Sequence, residues 1–143
     1  MNKFSERLQE LIDNKKITKL KLSKEIGLAS SSPISAWVLG KRFPNLNSAI
    51  KLAEYFNCSL DYLFGKKDID EKTNFVQKSS FNKQLKKVMK DKQITQTEMI
   101  KKASFHAGNF NLWFYKKSCP DMPTVIKLAE YLQVSLDYLA GRE

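Results

Sequence analysis

The chain has 143 residues, 42% of them apolar, and a formal net charge of +10. No apolar run approaches the length of a bilayer-spanning helix and no secretory leader is recognisable, so a cytoplasmic, non-membrane protein is expected. With one histidine, five glycines, no paired carboxylates and no phosphate-cradling glycine loop, the sequence offers no constellation for catalysis.

One stretch occurs twice. Ile50-Lys51-Leu52-Ala53-Glu54-Tyr55 returns as Ile126-Lys127-Leu128-Ala129-Glu130-Tyr131, and Ser59-Leu60-Asp61-Tyr62-Leu63 as Ser135-Leu136-Asp137-Tyr138-Leu139. Extended backwards, the match pairs Trp37 with Trp113, Pro44 with Pro120, Ile17-Thr18 with Ile94-Thr95 and Phe4 with Phe81. The offset is 77 residues at the front and 76 at the back, so one residue is inserted in the first copy, within 29–32. Such a repeat fixes the architecture as two copies of one small module, 4–65 and 81–141. Nine basic residues face six acidic ones in the first module, and ten face five in the second. The positive excess is therefore spread along the chain, which favours a polyanionic partner, nucleic acid before an anionic membrane. Cys58 and Cys119 do not match each other across the repeat; they pair with Val134 and Phe43, which predicts ordinary buried thiols in a reducing compartment.

In the first module, Phe4, Leu8, Leu11 and Ile12 form one face of an amphipathic helix. Thr18 is placed to cap a second helix over 19–26, with Leu22 and Ile26 inward and Gly27 as its stop. Ser23 is small, which lets another helix approach. A serine turn, 29–32, leads into a third helix. Proline is tolerated only in a helix's first turn, so Pro33 sets the start near Ser31, with Ser30 as cap. Ile34, Trp37 and Val38 share its inner face; at that spacing Trp37 reads as core and not as a stacking platform. Gly40 ends the helix and Lys41-Arg42-Phe43-Pro44 forms a basic loop. Asn45 caps a fourth helix, 46–56, predicted to pack through Leu46, Ala49, Ile50, Ala53 and Phe56. Ser59 caps a short fifth helix ending at Gly65.

The pattern Ile17-Thr18, Leu22-Ser23, Ile26-Gly27, then Ile34-Ser35-x-Trp37-x-x-Gly40-Lys41-Arg42-x-Pro44, then Leu52-Ala53 and Ser59-Leu60-Asp61-Tyr62-Leu63, resembles the Cro/C1 (XRE-type) helix-turn-helix family of bacterial and phage repressors. The likeness covers the whole module and recurs, weakened, in the second. It implies an all-α chain of two tandem five-helix, lambda-repressor-like helix-turn-helix domains, 1–65 and 81–143, joined by a linker, 66–80. It also implies a transcriptional regulator, foremost a repressor, that binds double-stranded DNA with its third helix in the major groove and its second across the backbone. The family's base-reading positions fall on Ser31, Ser32 and Ala36, with Ser35 between them. Serine can donate or accept at any base edge and so discriminates weakly; turn and cap chemistry accounts for these serines equally well. Lys19, Lys41, Arg42 and Asn45 fall where the family meets phosphates.

The linker is polar and lacks glycine and proline. Fully extended, it could span about 50 Å, more than the roughly 34 Å between equivalent faces of a duplex one turn apart, so one chain could imitate a dimer. A helical extension near 73–76 is equally compatible with its composition.

The second module departs from the pattern. Phe81, Leu85, Val88 and Met89 repeat the first helix. Thr95 and Glu98 read as a capping box, with Glu98 reaching back to the Thr95 amide, and Gln96 sits at the family's phosphate-binding glutamine. Ile100 then replaces the small Ser23, Ser104 the turn glycine, Phe110-Asn111 the Ile-Ser pair, and Lys116-Lys117-Ser118 the Gly-Lys-Arg. The reading positions become Ala107, Gly108 and Leu112, none able to hydrogen-bond a base. Asn109 and Asn111 flank them as possible contacts, and Lys116 and Lys117 remain phosphate candidates. Phe110, Leu112, Phe114 and Tyr115 are an excess of exposed apolar surface on this reading, which points to a dimer or protein interface as the alternative role of this module. His106, alone in a turn, reads as a polar surface residue, and no metal, cofactor or small-molecule site is identified.

Overall fold

In the computed structural model the chain is described from Asn2 to Glu143, except for residues 70–73, 104, 106 and 116–118 and the side chains of 107–109. The described residues are helical: α1 (Lys3–Lys15), α2 (Lys19–Glu25), α3 (Ser32–Val38), α4 (Leu46–Phe56), α5 (Leu60–Leu63), α6 (Phe81–Asp91), α7 (Gln96–Lys102), α8 (Ala107–Phe114), α9 (Met122–Leu132) and α10 (Leu136–Leu139). Their only β pairing is an isolated bridge between Gln77 and Arg142. The chain divides into two compact units, Met1–Phe75 and Val76–Glu143, each with five of these helices.

In the first unit α1 packs against α3 and α5. Phe4, Leu8 and Ile12 are buried along its inner face, and Phe4 stacks on Phe64 with ring centroids 4.5 Å apart. The start of α1 is fixed by a reciprocal cap: the Ser5 amide donates to Asn2 Oδ1 at 2.8 Å, and the Asn2 amide to Ser5 Oγ at 2.9 Å. Thr18 Oγ1 accepts from the Lys21 amide, Asn45 Oδ1 from Ser48 and Ser59 Oγ from Tyr62, so three further helix starts have their exposed donors satisfied. Ser23 is buried, and its hydroxyl donates to the Leu20 carbonyl. The inner face of α4 differs from expectation at two positions. Leu52 is fully buried with Leu46, Ala49 and Ala53, whereas Ile50 and Phe56 are half-buried at the rim. Residues 66–69 leave α5 exposed, and Asn74 returns to the C-terminal end of α4, where its amide donates to Asn57 Oδ1 at 2.9 Å.

In the second unit α6 packs against α8 and α10, and α10 against α9. Leu85, Val88, Met99, Phe110, Trp113, Met122 and Leu128 form the core. Phe81 is only half-buried where its counterpart Phe4 is enclosed. Residues 74–76 are not helical. Instead Val76–Lys78 run antiparallel to the last three residues. The Val76 amide donates to the Glu143 carbonyl at 2.7 Å, Glu143 returns the bond at 3.0 Å, and the Lys78 amide donates to the Gly141 carbonyl at 2.8 Å. Beneath this short ladder lies a buried ion pair, Arg142 Nη1 to Asp137 Oδ1 at 2.7 Å, with the two side chains 3% and 7% exposed. Gly141 has φ +81°, and a Cβ there would collide with the Ser79 carbonyl. The side-chain amide of Gln77 donates to the carbonyls of Ser79 and Ala140, which closes the strap onto the end of α10.

Candidate nucleic-acid interface

The candidate surface is built by α2, the turn after it, and α3. Helix α2 ends at Glu25 with Ile26 as its C-cap, and Gly27 takes φ +78°, a left-handed conformation that costs glycine little. The Leu28 amide then donates to the Ser23 carbonyl at 2.8 Å, the crossed bond of a glycine C-cap. The chain is thereby turned into 29–31 and α3. The start of α3 is one residue later than expected. Ser31 is its N-cap position and makes no side-chain cap bond, while Ser30 Oγ accepts from the Ser32 amide at 3.4 Å. Ser30 thus serves the first helical amide from one residue outside the cap, because Pro33 supplies no donor of its own.

Helix α3 buries Ile34, Trp37 and Val38, none more than 5% exposed. Helical periodicity then turns the other side outward. Ser32 is exposed, and Ser31, Ser35 and Ala36 are partly exposed, so the four positions share the outer side of one short helix and its lead-in turn. Gly40 at φ +75° repeats the glycine stop, with the Lys41 amide donating to the Ala36 carbonyl at 2.9 Å. That bond ties the backbone of Lys41 to α3. Lys41 and Arg42 are both exposed and Pro44 is buried behind them. Asn45 is exposed, and its Oδ1 is engaged in capping α4. Lys19 opens α2 and is partly exposed. No ion pair between these cations and an acid occurs among the described residues.

The second unit carries the same frame with different contents. Thr95 Oγ1 accepts from the Glu98 amide at 3.2 Å, capping α7. The return half of the expected box is replaced: the Thr95 hydroxyl donates to the Glu98 carboxylate at 3.5 Å, so that carboxylate meets the hydroxyl instead of the Thr95 amide. Gln96 opens α7 half-exposed. Phe110, expected at the surface, is completely buried. It occupies the place of Ile34 and packs on Trp113 and Phe114, with centroids 6.0 and 5.8 Å apart. The bulk of Phe110, which with Ile100 was expected to push α7 and α8 apart or force them to repack, is taken into the core, and Ile100 is half-buried. Phe114 is half-buried under the Lys86 ammonium, 4.9 Å from its ring centre. Among the described residues of this helix and the turn after it, Leu112 is 40% and Tyr115 56% exposed. Leu39, the counterpart of Tyr115, is 57% exposed, so exposure there belongs to the fold and is not peculiar to this copy. Asn111 is exposed. Ala107 and Gly108 lie in the first turn of α8; the Asn109 side chain and residues Ser104, His106, Lys116 and Lys117 fall outside the described residues. Cys58 is buried as expected, whereas Cys119 is half-exposed beside the buried Pro120. Among the described residues no group of acids, histidines and cysteines could hold a metal, and no helix is long and apolar enough to cross a membrane.

Two tandem helix-turn-helix domains are what this repeated arrangement defines. Comparison with protein families agrees. A family described as "Helix-turn-helix domain" matches residues 5–69, and one described as "Cro/C1-type HTH DNA-binding domain" matches residues 84–142. No curated protein and no solved structure matches the chain. The chain carries two tandem helix-turn-helix domains, the second of the Cro/C1 type, and is a DNA-binding regulator in the general sense of such domains, which are typically non-enzymatic. The match carrying the Cro/C1 description falls on the second unit, the copy whose motif is the weaker to the eye.

Proposed function

We propose that the protein is a sequence-specific repressor that binds duplex DNA with α3 of its first unit in the major groove. The observation that carries this reading is the two-sidedness of α3. Its large residues are buried, its outer side is small and polar, and an exposed Lys41-Arg42 hook follows directly. A helix admitted to the groove needs a slim outer face, and cations at its end can hold the flanking phosphates. In this reading Ser31, Ser32, Ser35 and Ala36 face base edges. Lys19, Lys41, Arg42 and Asn45 meet the backbone, and Gln96, Lys116 and Lys117 do so for the second unit, with Asn109 and Asn111 as its polar contacts. Serine offers no bidentate geometry, so much of the selectivity comes from duplex shape and from register. Repression follows from occupying a promoter.

The double substitution Lys41→Ala, Arg42→Ala tests this. It should weaken binding to every duplex alike and flatten the dependence of log K on log salt by about 0.9 for each phosphate no longer neutralised. Undiminished duplex affinity in that variant refutes the role given to the hook.

A second reading, a dimer or protein contact through α8, keeps only Leu112 and Tyr115 as exposed anchors once Phe110 is withdrawn into the core. Two separate side chains are a slender basis for a hydrophobic interface, and the DNA reading takes precedence.

A further inference from the structure

The first helices of the two units occupy the same place in the fold and carry opposite charge along one side. At the 77-residue offset, Glu6, Gln9, Glu10 and Asp13 of α1 become Lys83, Lys86, Lys87 and Lys90 of α6. These positions are spaced i, i+3, i+4, i+7, so they lie along one side of each helix. All four lysines are exposed. None is in an ion pair among the described residues, and Asp91 is the only acid in α6. The acidic side of α1 is different: Arg7 lies 4.0 Å from Glu10, and the Gln9 side-chain amide donates to Asp13 at 2.9 Å. On α6 two of the lysines lie against aromatic rings. Lys86 sits over Phe114 and Tyr115, at 4.9 and 5.5 Å, and Lys87 is 5.9 Å from the Tyr138 ring centre.

Four like charges along about 10 Å of helix repel one another and destabilise it. The fold does not require them, since α1 forms the same helix without them. We infer that the exposed side of α6 is a second binding surface for the phosphodiester backbone of duplex DNA, separate from the helix-turn-helix residues of its own unit. A duplex carries about one negative charge per 1.7 Å of axis, so the stripe faces roughly six phosphates over its length. Release of the counterions held there is the driving force, and it is indifferent to sequence. The corresponding side of α1, with Glu6, Glu10 and Asp13, would be repelled from the same position. The two units therefore do not meet DNA in equivalent poses: the first reads, with α1 turned away from the backbone, and the second grips through α6.

This inference rests on the DNA reading above, and one experiment separates the two. Binding of the full chain to a pool of mixed-sequence duplexes is followed against salt. Three variants are measured beside it: Lys83, Lys86, Lys87 and Lys90 all changed to glutamine; the same change without Lys86, which keeps its rings covered; and a charge-matched control with the exposed Lys3, Lys16, Lys66 and Lys67, none of them on a helix-turn-helix element, changed to glutamine. The stripe variant should keep its helical circular dichroism and lose about 2 to 3.5 units of salt slope, up to about 0.9 per lysine. The variant retaining Lys86 should lose somewhat less, and the control far less than either. If the four-site variant loses its helical signal, the Lys86-retaining variant decides alone. A slope within about half a unit of the parent, or an equal loss in the control, overturns the stripe while leaving the hook at Lys41-Arg42 standing. Absence of duplex binding by the unsubstituted chain overturns the DNA reading and the stripe together.

Discussion

Phe110 and Leu112 sit two residues apart on α8 and have opposite fates. Phe110 is fully enclosed between Trp113 and Phe114, and Leu112 is 40% exposed. Phe110→Ala should therefore destabilise the second unit by about 3 to 5 kcal/mol, as truncation of a core aromatic does. Leu112→Ala should shift stability by no more than about 0.5 kcal/mol, as surface changes usually do. Urea unfolding of the two variants checks this, and similar costs for both would contradict the burial described. The sequence contained the means to place Phe110. It stands at i−3 from Trp113 and matches Ile34, which periodicity puts inside. Size argues for the surface there and register for the core. Register wins, because the backbone decides which way a side chain leaves the helix before its volume matters. Cys119 went the other way: equivalence with Phe43 pointed to burial, but Phe43 is itself 38% exposed.

Most helix starts were legible because local chemistry marks them. Thr18, Asn45, Ser59, Thr95, Asp121 and Ser135 all accept from an amide three residues on. Removing such a cap costs about 1 kcal/mol, so Asn45→Ala should lower the urea midpoint of the first unit with its m-value unchanged; a change in m would mean damage beyond the cap. Gly40 at φ +75° makes a sharper case. Any side chain there incurs about 1 to 2 kcal/mol of left-handed strain, and Gly40→Ala should also weaken duplex binding, since the bond from Lys41 to Ala36 aims the hook. Loss of stability with binding intact would separate the stop from the aim. What stayed hidden was an unusual cap and a contact with a distant partner. The Asn2–Ser5 box lacks the customary glutamate. The strap 76–78 is too short to show alternation, and its partner lies more than sixty residues away, where neither composition nor spacing announces it.

At the scale of the whole molecule, duplication preserved the frame and freed the surface. The same five helices recur, yet the charge along one side of the first helix is inverted, and the second unit rests on a buried Arg142–Asp137 pair. Breaking a buried pair strands a charge and costs about 3 to 5 kcal/mol. Arg142→Ala should accordingly lower the unfolding midpoint reported by Trp113 and leave that reported by Trp37 in place. The two signals are resolved in Trp37→Phe and Trp113→Phe backgrounds, and a joint fall of both would show that the units unfold as one. The repeat disclosed the architecture at once, because identical words twice over can hardly arise from anything but one fold used twice. The division of labour between the copies was harder to see, since it lies in exposed positions that the fold leaves unconstrained.

The strap also bears on how the protein is to be cut. Sequence similarity to the first copy invites a scission just before Phe81, where the homologous helix begins. Such a fragment would leave Arg142 uncovered, strip Gly141 of the carbonyl it was shaped to admit, and discard Gln77 from the end of α10. Its failure to fold or to bind would be an artefact of the scissors. A fragment opening a few residues ahead of Val76 retains all of these, and only that one can say what the second copy does by itself.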